Sequence, residues 1–227
     1  MVLARHSCSD EATAGLFGCG SLSDGDGEPL RPGGLALTRE LIDLAGFRAG
    51  DRVVDVGCGL GASTQLLAER GVAAVGVDLV ARHGAAAFVV ADAARLPFAD
   101  HSIDGILSEC SLSLVDDRRQ ALAEWRRVLR IGGRLGLSDV YRRSGDGGDG
   151  RRIATRDALC AETAAAGFHV ERFEDRSTTL KAWAARFIFQ HGSLDALWGA
   201  AGAGAKGRLG YGLLIAVNTG ARAPAGG

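Results

Sequence analysis

The sequence predicts an α/β protein built on a doubly wound, mostly parallel sheet of seven strands with helices on both faces. Three observations carry this. Short apolar strands alternate with amphipathic helices along most of the chain. A run of glycines, Gly57, Gly59 and Gly61, follows the first strand and opens a helix. The composition is that of a globular protein: 227 residues, 47% hydrophobic, 23% charged and a net charge of -1.

Residues 1–34 read as an irregular segment, a candidate lid, because turn formers crowd it: Gly15, Gly18, Gly20, Gly25, Gly27, Pro29 and Pro32. A single domain is expected over residues 35–217 and a disordered tail over 218–227. The first helix fits Leu35 to Ala45, with an apolar stripe of Leu37, Leu41, Ile42 and Leu44 and a stop at Gly46. Strands follow at Arg52–Val56, Ala73–Val77, Ala86–Ala91 and Ile103–Glu109, with a helix at Ser63–Arg70. A helix at Asp116–Arg130 has Leu122, Trp125, Val128 and Leu129 on one face, an Asp cap at its start, and Gly132-Gly133 as its stop. Its arginines read as a solvated face. A fifth strand is expected at Arg134–Val140 and a polar linker at Arg142–Arg152. Then come a helix (Thr155–Ala166), a strand (His169–Glu174), a helix (Leu180–Leu197) and a strand (Leu209–Val217).

Near-neutral charge points away from nucleic acid and from an anionic membrane. No apolar run approaches the roughly 18 residues a membrane helix needs. The start of the chain carries no signal-like apolar stretch, so a cytoplasmic location is expected. Five cysteines, Cys8, Cys19, Cys58, Cys110 and Cys160, are odd in number, widely spaced and without a CxxC pair. That favours free thiols and predicts no metal.

The segment Val53-Val-Asp-Val-Gly-Cys-Gly-Leu-Gly61 suits close approach of a ligand to backbone at a helix N-terminus. Alone it fits a dinucleotide as well as S-adenosylmethionine. Further motifs follow in order: Val75-Gly-Val-Asp78, Ala91-Asp-Ala93, Leu96-Pro-Phe98, Ser102-Ile-Asp104 and Arg127-Val-Leu-Arg-Ile-Gly-Gly-Arg-Leu135. Together they resemble the class I S-adenosylmethionine-dependent methyltransferases, Rossmann-like proteins. The likeness is greatest to the small-molecule type that includes the ubiquinone and menaquinone biosynthesis enzymes.

The resemblance implies S-adenosylmethionine as cofactor and a methyl transfer to a small-molecule substrate. It assigns Asp55, Gly57, Cys58, Gly59 and Gly61 to the methionine part, Asp78 and Leu79 to the ribose side, and Asp92 and Ala93 to adenine. Asp55 is a carboxylate that could accept from the cofactor's ammonium group, directly or through water; the plainer alternatives are a bond to loop N-H groups for Asp55 and a turn cap for Asp92. Only 14 residues separate Asp78 from Asp92, so the helix that family members usually carry there is expected to be very short or absent. Catalytic groups are unassigned; Glu109 and Cys110 are weak candidates, with a salt bridge and a small buried hydrophobe as the plainer alternatives. Arg31 or Arg39 could pair with a carboxylate. The alternative function is a non-catalytic S-adenosylmethionine-binding partner. Homodimerisation is left open.

Overall fold

The computed structural model describes residues 29, 31–80, 87–143, 153–192 and 209–220. Helix α1 (Gly34–Ala45) leads into β1 (Arg52–Val56), α2 (Ala62–Glu69), β2 (Ala73–Asp78), β3 (Phe88–Val90) and β4 (Ile103–Glu109). A 3-10 turn (Leu112–Leu114), α3 (Arg118–Val128), β5 (Leu129–Arg142), α4 (Arg156–Ala165), β6 (Phe168–Asp175), α5 (Ser177–His191) and β7 (Leu209–Asn218) follow. The seven strands form one sheet in the order β3-β2-β1-β4-β5-β7-β6. Strands β1 to β5 pair in parallel, and β7 runs antiparallel to both β5 and β6.

The order in which strands are added to the sheet reverses between β1 and β4. A parallel sheet places its ligand beyond the carboxyl ends of the strands at that point. Both faces are covered, because successive strand residues point to opposite sides. Val53 and Leu107 pack with Leu37 and Leu41 of α1 and Leu67 of α2. Val54 and Ile106 pack with Leu122 and Trp125 of α3 and Leu159 of α4.

Most boundaries lie within a residue or two of the sequence reading, and the departures have local causes. Helix α3 begins at Arg118, where Asp117 accepts the Gln120 N-H at 3.0 Å. It ends at Val128 rather than at Gly132-Gly133. Leu129 is fully buried, pairs with Ile103 and opens β5, and its carbonyl accepts from Asn218 Nδ2 at 2.8 Å. Tertiary packing thus turns the end of a helical stretch into strand. The glycine pair falls in the irregularity between the Ile103 and Gly105 pairings. Strand β3 is only three residues long. Helix α5 starts at Ser177 and stops at Gly192, whose φ of 83° suits a glycine. The expected extension to Leu197 lies outside the described residues. Strand β7 runs one residue past the anticipated boundary, to the buried Asn218.

The arginines of α3 are more than a solvated face. Arg118 forms a two-pronged pair with Glu162 of α4 (3.1 and 3.2 Å), and Arg127 bridges Glu124 and Asp100 (2.7 and 2.6 Å). Among the described residues no helix is long and apolar enough to cross a membrane. The anticipated lid falls largely outside the described residues, with Cys8 and Cys19. So do the tail beyond Gly220, most of the Arg142–Arg152 linker and residues 81–86 between β2 and β3.

Candidate functional site

The loop after β1 is folded against the end of β2. The N-H groups of Gly57 and Cys58 both donate to Val77 O, at 2.8 and 3.1 Å. Gly57 has φ 75°, and a Cβ there would overlap the Ser111 side chain beyond β4. Glycine is required twice over at this position. Gly61 takes the N-cap position of α2 in the left-handed conformation, with no side chain capping the helix. In the first turn the Thr64 N-H faces the Asp55 carboxylate, while the helix start itself has no side-chain cap from Gly61. Gly57→Ala should cost about 2 kcal/mol or more of stability, from strain plus overlap. Urea denaturation measures it, and an unchanged midpoint would mean the loop has another conformation.

Asp78 closes the loop from the other side. Its Oδ2 accepts the Gly59 N-H at 3.0 Å and its Oδ1 the Val80 N-H at 3.2 Å. The carboxylate is half-buried at the carboxyl end of β2. Each oxygen keeps a lone pair for a further donor. Leu79, 69% exposed, and Val80, 49% exposed, follow it, and Leu60 of the glycine loop is 39% exposed. A carboxylate followed in the chain by exposed apolar side chains could meet a ligand with hydroxyls on one edge and an apolar face.

Asp92 lies just beyond β3. Its Oδ1 accepts the Ala94 N-H at 2.8 Å, so it caps this turn. The turn is pinned from beneath, because Trp125 Nε1 donates to Ala93 O at 3.0 Å. Cys58 turns its sulfur down onto the sheet: a Cβ at Gly76 would sit 2.7 Å from that Sγ. The thiol also donates to Gly59 O of the loop at 3.9 Å.

Asp55 is 2% exposed inside β1 and accepts Thr64 Oγ1 at 2.7 Å, not the loop N-H groups. Burial pushes its carboxyl up to about 7, helped by the Glu109 charge and opposed by the Thr64 hydroxyl. An isolated carboxyl titrates near 4. The folded state therefore holds the proton more tightly than the unfolded chain. This contribution to stability is complete below about pH 4 and is lost as pH rises to about 7. Asp55→Asn should flatten the fall in stability between pH 5 and pH 7.5 relative to the unaltered protein, read as paired urea midpoints. Equal slopes would show that Asp55 is not held in this way. Asp139 acts in the same direction, pushed by burial up to about 6.

At the end of β4 lies a buried polar cluster. Glu109 is 7% exposed. Its Oε2 accepts Ser63 Oγ at 2.7 Å and pairs with Arg31 Nη2 at 3.1 Å. Arg31 Nη2 also donates to the hydroxyls of Thr38 and Ser63. Thr38 Oγ1 lies 3.2 Å from both Glu109 oxygens. Beside it, Tyr211 Oη donates to Ser138 Oγ and lies 3.0 Å from Cys110 Sγ. Cys110 itself is a non-glycine residue at φ 54°. Burial, with Asp139 nearby, pushes its thiol up to about 12, so it carries its proton at neutral pH. Asp139 accepts from the N-H and hydroxyl of Ser113 (2.8 and 2.7 Å).

The sheet thus gathers the glycine loop, Asp78, Asp92 and Ala93 along one edge, with Glu109 and Cys110 at the neighbouring strand end. Arg31 pairs with a carboxylate, but an internal one. Sequence reasoning had no signal for Tyr211, which arrives on β7. A signal for Asp139 existed: Ser138-Asp139 interrupts an apolar strand. Among the described residues no group of three His, Cys, Asp or Glu side chains is placed to hold a metal ion.

Comparison with known proteins bears on the family and the fold. Residues 54–137 match the methyltransferase domain family model. The demethylmenaquinone methyltransferase of Beutenbergia cavernae is 40% identical over 109 residues, which is 44% of this chain and 45% of that protein. The chain spans about half the length of the curated relatives it matches. A geranyl diphosphate methyltransferase in complex with SAM has a TM-score of 0.69 at 21% identity, covering 81% of this chain and 84% of that one. At that identity the likeness is one of fold. The [4+2]-cyclase SpnF has a TM-score of 0.63 at 25% identity, covering 80% and 79%.

Proposed function

We propose, from the premise that this chain belongs to the class I S-adenosylmethionine-dependent methyltransferases, that its carboxyl-edge site binds S-adenosylmethionine and passes the methyl group to a small-molecule acceptor. S-adenosylhomocysteine is the product. The observation that carries the reading is the Asp78 carboxylate, tied to Gly59 and flanked by the exposed Leu79 and Val80. A nucleoside, with hydroxyls on its ribose and a flat base, suits that combination.

In this reading Asp78 accepts the two ribose hydroxyls, with Leu79 against the ring system. Asp92 and the Ala93 N-H take the adenine edge. The backbone of Gly57, Cys58, Gly59 and Gly61 surrounds the methionyl part. Asp55, buried beneath the loop, holds the start of α2 through Thr64 rather than contacting an ammonium group directly. When bound, the donor supplies a methyl group on a sulfonium, an electrophile that needs only an in-line nucleophile. The protein's part is alignment and exclusion of water. Glu109 is engaged by Arg31 and Ser63, and the Cys110 thiol is protonated, so neither is placed to take a proton from the acceptor. Turnover then depends on an acceptor that is nucleophilic as it binds, or that loses its proton elsewhere. The small net charge of -1 suits a small acceptor better than a polyanion.

The test is calorimetric titration with S-adenosylmethionine, S-adenosylhomocysteine and NAD. Micromolar binding of the first two without NAD supports the reading. Binding of NAD alone overturns it. Since one fold hosts several chemistries, tight donor binding with no methyl transfer to any acceptor would favour a non-catalytic binding protein.

A further inference from the structure

We infer that Glu109 is a positioning residue that couples occupation of the glycine loop to the seating of the segment leading into α1. This rests on the donor reading above. One buried carboxylate touches four parts of the fold. It meets Arg31 before α1, Thr38 within α1, Ser63 in the first turn of α2, and Ser138 of β5 at 3.5 Å. It does so from the last residue of β4, at the point where the strand order reverses.

The route is short. Ser63 lies two residues beyond Gly61, on the helix that the glycine loop starts. Its hydroxyl donates to Glu109 Oε2 at 2.7 Å and accepts from Arg31 Nη2 at 2.8 Å. A ligand that stills the loop stills the first turn of α2, and with it the Ser63 hydroxyl, which both partners of the ion pair share as they share that of Thr38. The pair then has fewer arrangements open to it, and Arg31 is held more tightly. Coupling of this kind needs no change of shape, only a shared loss of freedom. Arg31 is suited to the role because it is nearly enclosed and, among the described residues, its Nε has no partner. Among the described residues the guanidinium is held through its Nη2, by Glu109, Thr38 and Ser63, so loosening the Ser63 contact weakens that hold.

The experiment is hydrogen exchange of residues 31–38 in the full chain, with and without saturating S-adenosylhomocysteine, alongside calorimetry with the same ligand. In the unaltered protein the ligand should slow exchange there by about fivefold or more. Ser63→Ala should bind the ligand within about threefold of normal yet lose the slowing, and Ser63→Thr should restore it. Arg31→Met, which leaves α2 intact, should also bind and lose the slowing. A purely structural role would raise exchange equally with and without ligand and leave their ratio unchanged. That result, or slowing that persists in both Ser63→Ala and Arg31→Met, overturns the coupling through Glu109. Ligand bound without slowing in the unaltered protein overturns the coupling while leaving the donor reading standing. No ligand binding at all overturns both.

Discussion

Asp78→Ala should weaken S-adenosylhomocysteine binding by about 2–3 kcal/mol, a rise in Kd of roughly 30- to 150-fold. Two losses combine. The proposed hydroxyl contacts are hydrogen bonds to a charged acceptor, the stronger class. The same carboxylate also holds the glycine loop, through Gly59 at 3.0 Å and Val80 at 3.2 Å. Without it the loop must be ordered at the moment of binding. Asp78→Asn keeps the shape and one acceptor oxygen and should fall between the two. Calorimetry reads all three proteins, and thermal unfolding without ligand separates the loop's own contribution. An affinity unchanged in Asp78→Ala would place the ribose elsewhere.

Glu109→Ala should lower unfolding free energy by about 3–5 kcal/mol, the range for breaking a buried ion pair from one side. The reason is what stays behind. Arg31 would keep only the hydroxyls of Thr38 and Ser63, inside a region where an unpaired cation is strongly disfavoured. Glu109→Gln keeps an acceptor for Ser63 and should cost less. Replacing both partners, Arg31→Met with Glu109→Leu, should recover much of the loss, since a buried pair exchanged for apolar groups is often near neutral. Urea denaturation gives the four values. A loss under about 1 kcal/mol in Glu109→Ala would mean that the pair contributes no more than a surface ion pair does.

Much of the fold was legible from the chain because it depends on short-range pattern. The bounds of β1 and β4 coincide with the expected ones, since apolar runs flanked by glycine and acidic residues leave few alternatives. The join of α3 to β5 was not legible. Residues 116–130 carry a helical apolar stripe throughout, yet Leu129 is drawn into the sheet by its pairing with Ile103 and its bond from Asn218. That partner lies 89 residues away. A periodic stripe reports that a residue is buried, not which element buries it.

The candidate site divides along the same line. The glycine loop and the carboxylates at the ends of β2 and β3 could be read from the letters alone. Each is local: a tight turn demands glycine, and a strand's last residue is placed at the ligand edge by the parallel topology. Which partners Glu109 and Cys110 meet was decided by packing. Glu109 takes its partners from 71 and 46 residues away, and Cys110 meets Tyr211 across 101 residues. A carboxylate is a base, a salt-bridge partner or a joint according to which donors surround it and how much water reaches it. Those are properties of the assembled sheet and helices, and no local pattern in the chain encodes them.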